Sequence, residues 1–206
     1  MIRVKKERWK MSKNYNAIHH IQKQLEGYDK KLVNAVCRLF NIEDQIKECQ
    51  GCVIDSVVLA LLFKRFNIDT ELHIGEVCAD GEQDAYHCWL TLDNKIIDFG
   101  IYGNANYNPF YHGVKIDYPL ILEKLDFIKY CDGSTEQDSW LSELSEMPVV
   151  EYVKRCPQNR ISKLFLKSLD LIETKSNQEL IYDLAKDMTF PKLIKIDTSP
   201  SGKKGI

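Results

Sequence analysis

No stretch of this chain approaches the roughly 18–20 consecutive apolar residues that a membrane-spanning helix needs. The richest run, Val57 to Phe63, is short and ends in Lys64-Arg65. Nor is there an excess of either charge. Lysine and arginine number 28 against 30 aspartates and glutamates, and a pI near 6.2 leaves no global electrostatic case for nucleic acid. Phosphate-binding glycine loops, HExxH and GxSxG are all missing, which removes the commonest signatures of nucleotide binding, zinc proteolysis and serine hydrolysis. No internal repeat occurs, so solenoid and propeller architectures drop out. The N-terminus lacks both the continuous apolar core and the small-residue cleavage site of a secretory signal.

What is present suits a globular fold. The 206 residues are 44% hydrophobic, enough for a sizeable core without a disulfide or metal staple. Seven cysteines without a signal peptide point to free thiols in a reducing compartment, so a cytoplasmic location is expected. Residues 1–13 carry Arg3, Lys5, Lys6, Arg8, Lys10 and Lys13 against Glu7 alone and read as a basic, disordered arm; Met11 is an alternative start. Residues 196–206, which end in DTSPSGKKGI, read as a disordered tail. Between them, residues 14–195 are expected to form a single α+β domain, with a core at about 45–113 and a helical part at about 114–195.

Apolar spacing predicts a helix over Tyr15–Leu25, closed by Gly27, and a second over Asp29–Phe40. Residues 41–48 look polar and irregular. From Cys52 to Phe66 the pattern is apolar almost all round, which places a helix at the centre of a fold, covered on several sides. Gly51 permits a tight entry into it. Three strands follow: Thr70–Val77, Asp84–Leu92 and Lys95–Phe99, the last two joined by an Asp93-Asn94 hairpin turn. Residues 100–113, rich in glycine, asparagine and aromatics, read as one long surface loop. Beyond it the pattern predicts helices over Pro119–Tyr130, Thr135–Leu144, Pro148–Ile172 with a break at Pro157, and Asn177–Met188.

Three residues in this layout carry chemistry together. Cys52 opens the buried helix, where orphan amides and the helix dipole favour a thiolate. His87 lies in the second strand and Asp98 ends the third, at comparable distances from the hairpin turn, so the two can be neighbours across it. In that arrangement Cys52 is a nucleophile, His87 its acid–base partner, and Asp98 the group that fixes the imidazole. Backbone amides near Cys52 would form an oxyanion site, with Gln45 or Gln50 as weaker side-chain candidates. Tyr102, Tyr107 and His112, with Phe110 and Tyr111, are candidates for a lid or substrate wall near the end of the Asp98 strand, and Trp89 is a further substrate candidate; the competing reading is a self-packed loop.

The run GCVIDSVVLALLFKRFNIDTELHIGEV, followed by DAYHCWLTLDNKIIDFG, resembles the core of the transglutaminase-like (papain-like) superfamily. It is closest in pattern to the lasso-peptide maturation proteases and more distantly similar to arylamine N-acetyltransferases. The matching residues are Cys52, His87 with Trp89, and Asp98, within about residues 49–100. The resemblance implies an α+β fold with a central helix on an antiparallel sheet, and peptidase, transglutaminase or acyltransferase activity. The substrate would be a peptide, a protein or a small acyl compound, with no organic cofactor and no metal.

Other readings compete. The site residues can be read as core packing on a non-catalytic interaction module of the same fold. Cys49-Gln50-Gly51-Cys52 is a CxxC, so a redox dithiol or half of a zinc site is open; the first wants a βαβ frame and the second a further ligand pair. His87 and Cys88 are adjacent on a strand and point to opposite faces. His19-His20 reads as a solvated pair, and His73 as solvent-facing. Cys37, Cys88, Cys131 and Cys156 read as structural thiols.

Overall fold

The structure, a computed structural model, describes residues 15–46, 51–79, 85–107, 116–123, 128–132 and 139–192. The basic arm and the C-terminal tail lie outside the described residues, as do Cys49, Gln50 and His112.

Two helices come first. Helix α1 spans residues 15–24 and buries Ala17 and Ile21, with Leu25 just beyond. Helix α2 (Lys30–Ile46) is about a turn and a half longer than its spacing suggests and takes in residues expected to be irregular. Its apolar stripe, Leu32, Val36, Leu39 and Phe40, is buried at the i, i+3, i+4 positions of a helix face.

Helix α3 (Cys52–Arg65) is the axis of the fold. Val53 and every residue from Ser56 to Phe63 are buried, on all sides of the helix. Helix α2, the helical residues 160–168 and the strand residues 85–92 all pack against it. Valines at positions 53, 57 and 58 have only modest helix propensity, so burial holds this element. Each fully buried Leu or Phe contributes about 1.5–3 kcal/mol. Ser56, the polar exception, donates its hydroxyl to the Cys88 carbonyl at 2.9 Å. Asp55 in the first turn and Lys64 and Arg65 in the last complement the helix dipole.

Among the described residues the sheet has five strands in the order β4-β3-β2-β1-β5: β1 (Glu71–Ala79), β2 (Ala85–Leu92), β3 (Lys95–Asp98), β4 (Leu120–Glu123) and β5 (Ile128–Asp132). Every neighbouring pair is antiparallel. The β2–β3 hairpin turns at Asp93 (φ 51°) and Asn94 (φ 60°), the left-handed pair of a type I′ turn. The helix expected over Pro119–Tyr130 does not exist. Its apolar residues are shared between two short edge strands: Ile121 opposite Ile97, and Tyr130 opposite Val77. Clustered Leu and Ile residues satisfy a helical template as readily as a pair of short strands.

The loop expected over residues 100–113 is replaced in its described part by helix α4 (Phe99–Tyr107). Gly100, Gly103, Asn104 and Asn106 are poor helix formers. The helix is held instead by Asp98, whose Oδ1 accepts from the Ile101 amide at 3.0 Å as an N-cap, and by burial of Phe99, Ile101 and Tyr102. Four helices complete the described chain: α5 (Ser139–Glu146), α6 (Val149–Arg155), α7 (Arg160–Ser168) and α8 (Lys175–Ala185). The break at Pro157 is a 3-10 turn in which Gln158 and Asn159 take left-handed φ values of 55° and 53°. Thr174 caps α8, accepting from the Asn177 amide at 3.1 Å. Among the described residues, no helix is long and apolar enough to cross a membrane.

Candidate active site

Three elements converge on one point. Helix α3 begins at Cys52 after Gly51, whose φ of −126° lies outside the helical region and which supplies no side-chain cap. The first intrahelical bond runs from the Asp55 amide to the Gly51 carbonyl at 2.6 Å. That leaves the amides of Cys52, Val53 and Ile54 as the orphan donors of the first turn. Strand β2 brings His87, and the end of β3 brings Asp98. The hairpin register pairs Leu90 with Ile97, which sets Asp98 diagonally across the ladder from His87.

His87 Nε2 lies 2.7 Å from Asp98 Oδ2, with both side chains fully buried. Asp98 is saturated with donors: Oδ2 also accepts from the Tyr130 hydroxyl at 2.8 Å, and Oδ1 holds the Ile101 amide. The carboxylate therefore orients the imidazole while its own position is fixed by the start of α4 and by a tyrosine from the far edge of the sheet.

The other imidazole nitrogen, Nδ1, is buried and makes no hydrogen bond in strict geometry among the described residues. The Cys52 side chain is nonetheless close enough to act on the ring through charge and hydrogen bonding. Catalytic hydrogen bonds of this kind commonly tighten only when substrate is bound. Burial alone would lower the His87 pKa; Asp98 and then Cys52 outweigh it and push the imidazole up to about 10. Cys52 alone of the three keeps exposed surface.

Gly100 closes the site from α4. A Cβ built there would stand 2.9 Å from Cys52 Cβ, 3.0 Å from Cys52 Cα and 3.0 Å from His87 Cε1. The thiol-bearing residue and the imidazole thus touch the same small volume, which only a hydrogen leaves open.

An aromatic column supports the histidine. Trp89, nearly fully buried, stacks on His87 at 6.4 Å and on His73 at 5.4 Å, and Tyr130 leans on it at 5.0 Å. His73 is therefore not solvent-facing: its ring is part of the column and its Nε2 lies 2.9 Å from Thr91 Oγ1. His20 is not solvated either; it stacks on Tyr118 and lies 2.6 Å from Glu123 Oε1, tying α1 to β4. Its neighbour His19 is exposed.

Of the remaining candidates, Tyr102 is a core residue packed on Phe40 at 5.5 Å, not a wall of the cleft. Gln45 and Tyr107 fall within α2 and α4, but their side chains lie outside the described set, together with Gln50 and His112. Cys88 is fully buried on the opposite face of β2 from His87, and burial raises it well above an ordinary thiol. Burial likewise pushes Cys37 up to about 11. The segment before Cys52 is helical through Ile46 and the sheet is antiparallel, so the strand-first βαβ frame of a thioredoxin-type CxxC is not the frame found here.

Sequence reasoning missed Tyr130, Gly100 and a carboxyl pair, Glu43 and Asp55. Tyr130 sits in a segment whose pattern reads as helical, and nothing local signals its reach to Asp98. Asp55 was visible as the one acid in an apolar helix.

Residues 12–112, just under half of the chain, match the family model described as the transglutaminase-like superfamily. No curated protein and no solved structure matches the chain. Tyr130, Tyr152 and Arg160, all in or beside the site, lie outside the matched segment. Over residues 12–112 the chain is similar to the transglutaminase-like superfamily, which includes cysteine-dependent enzymes, and its mixed helical and antiparallel architecture is consistent with that α+β fold.

Proposed function

We propose that this protein is a thiol-dependent acyl-transfer enzyme in which Cys52 is the nucleophile, His87 the acid–base group and Asp98 the residue that orients it. The observation that carries the reading is a cysteine of intermediate burial at a helix N-terminus, beside an imidazole whose far nitrogen is held at 2.7 Å by a buried carboxylate. An inert packing arrangement has no need of an imidazole kept cationic in a buried site.

In the first half-reaction, Cys52 Sγ as thiolate attacks the carbonyl carbon of an amide or thioester. The new C–S bond pushes an electron pair onto oxygen, and the unpaired amides at the start of α3 would receive that oxyanion. His87 then gives its proton to the departing amine or thiol as the old bond breaks, leaving an acyl-Cys52 thioester. In the second half, neutral His87 takes a proton from water or an amine. The attacking oxygen or nitrogen bonds to the acyl carbon as its proton passes to His87, the C–S bond breaks, and the thiolate–imidazolium couple returns. Peptidase, transglutaminase and acyltransferase activities differ only in the second acceptor. The resemblance to lasso-peptide maturation proteases favours peptide substrates and water.

The test is covalent. Incubation with p-nitrophenyl acetate or a peptide thioester, followed by intact and peptide mass spectrometry, is expected to give an acyl adduct on Cys52 that clears on standing. Adding a primary amine distinguishes transfer from hydrolysis by the product formed. A Cys52→Ser protein that releases p-nitrophenol or cleaves the thioester at the wild-type rate contradicts the assignment. A thiol inert to acyl donors favours the alternative, a non-catalytic interaction module on this fold.

A further inference from the structure

Asp55 and Glu43 take no part in the acyl chemistry above, yet both carboxyls lie beside it. Asp55 stands three residues after Cys52 in α3, one turn along the same face. Its carboxylate folds back over the helix entrance, where a Cβ placed on Gly51 would lie 2.8 Å from Oδ1 and 3.1 Å from Oδ2. Glu43 meets it from α2, the two side chains sharing a hydrogen bond. Glu43 Oε1 is sealed from solvent and has no hydrogen-bond partner among the described residues.

Two carboxyl groups in contact and partly withdrawn from water disfavour double ionisation, so one of them keeps its proton. The environment says where it sits. Burial first, then the neighbouring Asp55, raises Glu43 well above a normal carboxyl. Burial also pushes Asp55 up, to about 6, while the bond from Glu43, the Arg160 guanidinium of α7 and His87 of β2 pull it down and Asp98 of β3 pushes it up. Tyr152 of α6 and Cys88 of β2 also feel the Asp55 charge. Near neutrality, Glu43 is the donor and Asp55 the ionised acceptor.

We propose that Glu43 and Asp55 form a proton-sharing carboxyl pair whose single negative charge, one turn behind Cys52, positions the Cys52–His87 couple electrostatically and sets the pH window in which it reacts. The proposal rests on the assignment of Cys52 and His87 above. A negative charge at that point supports imidazolium and opposes thiolate. Removing it lowers the pH of both limbs of the reactivity profile, by about 0.5–1 unit for a charge a few ångströms off in a partly screened site.

The experiment uses the full chain and site-resolved alkylation of Cys52 by iodoacetamide across pH 4–11. Asp55→Asn is expected to move both limbs of the profile downward. Glu43→Gln, whose amide still donates to Asp55 and keeps it ionised to lower pH, is expected to move neither limb downward. Identical shifts from the two variants, or an unmoved profile in Asp55→Asn, overturn the pair while leaving the parent assignment standing. A wild-type profile with only an ordinary thiol limb near about 8.5 removes the parent assignment itself, and the pair's role with it. Should Asp55→Asn fail to fold, carbon NMR titration of the two carboxyls in the unmodified protein decides the matter. Glu43 still protonated at pH 7 supports the pair, and both carboxyls ionised by pH 5 overturn it.

Discussion

Replacing Gly100 with alanine adds one methyl group at the point where Cys52 and His87 meet. That carbon would stand 2.9 Å from Cys52 Cβ and 3.0 Å from both Cys52 Cα and His87 Cε1, whereas carbon atoms settle at about 3.5–4.0 Å. Relief needs about 0.5–1 Å of movement. Two of the three atoms belong to the start of α3, whose next turns are buried on all sides, so no side-chain rotation supplies it. The steric cost is about 1–3 kcal/mol, set against a gain of about 0.5–1 kcal/mol from alanine's helix propensity within α4. Gly103 lies in the same helix, and a Cβ added there would meet nothing within 4 Å. It is the control: Gly103→Ala takes the propensity gain alone. Melting curves and Cys52 alkylation rates are the assays. We expect Gly103→Ala to melt higher with an unchanged alkylation rate. Gly100→Ala is expected to melt lower and to lose about 100-fold in turnover, the usual consequence of a 1 Å misplacement at reacting atoms. A Gly100→Ala protein that melts as high as Gly103→Ala and reacts as fast as wild type would refute the geometry.

Other outcomes follow from the same packing. Trp89→Ala removes the ring between His73 and His87 and is expected to cost about 3–5 kcal/mol in denaturant unfolding. Tyr130→Phe removes one donor from Asp98; about 1–3 kcal/mol of stability and a reduced turnover rate are expected, whereas equal turnover would limit the hydroxyl to a structural role. Stability should also depend on pH through His87. Its folded value, about 10, exceeds the ordinary 6.5, so its contribution is complete below 6.5 and is lost as pH rises through about 10; His87→Ala should flatten that part of the stability profile. Asp55, raised from 3.8 to about 6, stabilises the fold in its protonated form; that contribution is complete below 3.8 and is lost as pH rises through about 6. Asp55→Asn should therefore gain in melting temperature relative to wild type across that window and hold the gain above it.

Some of this was legible in the residues and some was not, for physical reasons. Helix α3 declares itself because it is apolar on every side, and the β2–β3 hairpin because Asp93-Asn94 is a turn dipeptide between alternating strands. Those two elements are enough to bring Cys52, His87 and Asp98 near one another. Helix α4 was hidden: its glycines and asparagines argue for a loop, and only the Asp98 cap and the burial of Phe99 and Ile101 make it helical. The edge strands β4 and β5 were hidden too, since a short apolar run has no period of its own and takes its form from the strand beside it. With β5 went Tyr130, whose contact with Asp98 spans the width of the sheet. Glu43 was lost with the end of α2, where a polar composition looked irregular.

The most direct measurement is site-resolved competition among the seven cysteines for limiting iodoacetamide at pH 6.5, comparing wild type with His87→Ala. Wild type is expected to label at Cys52 ahead of every other thiol, and His87→Ala to lose that preference. Equal labelling of Cys52 in the two proteins would contradict the coupling of thiol to imidazole on which the account stands.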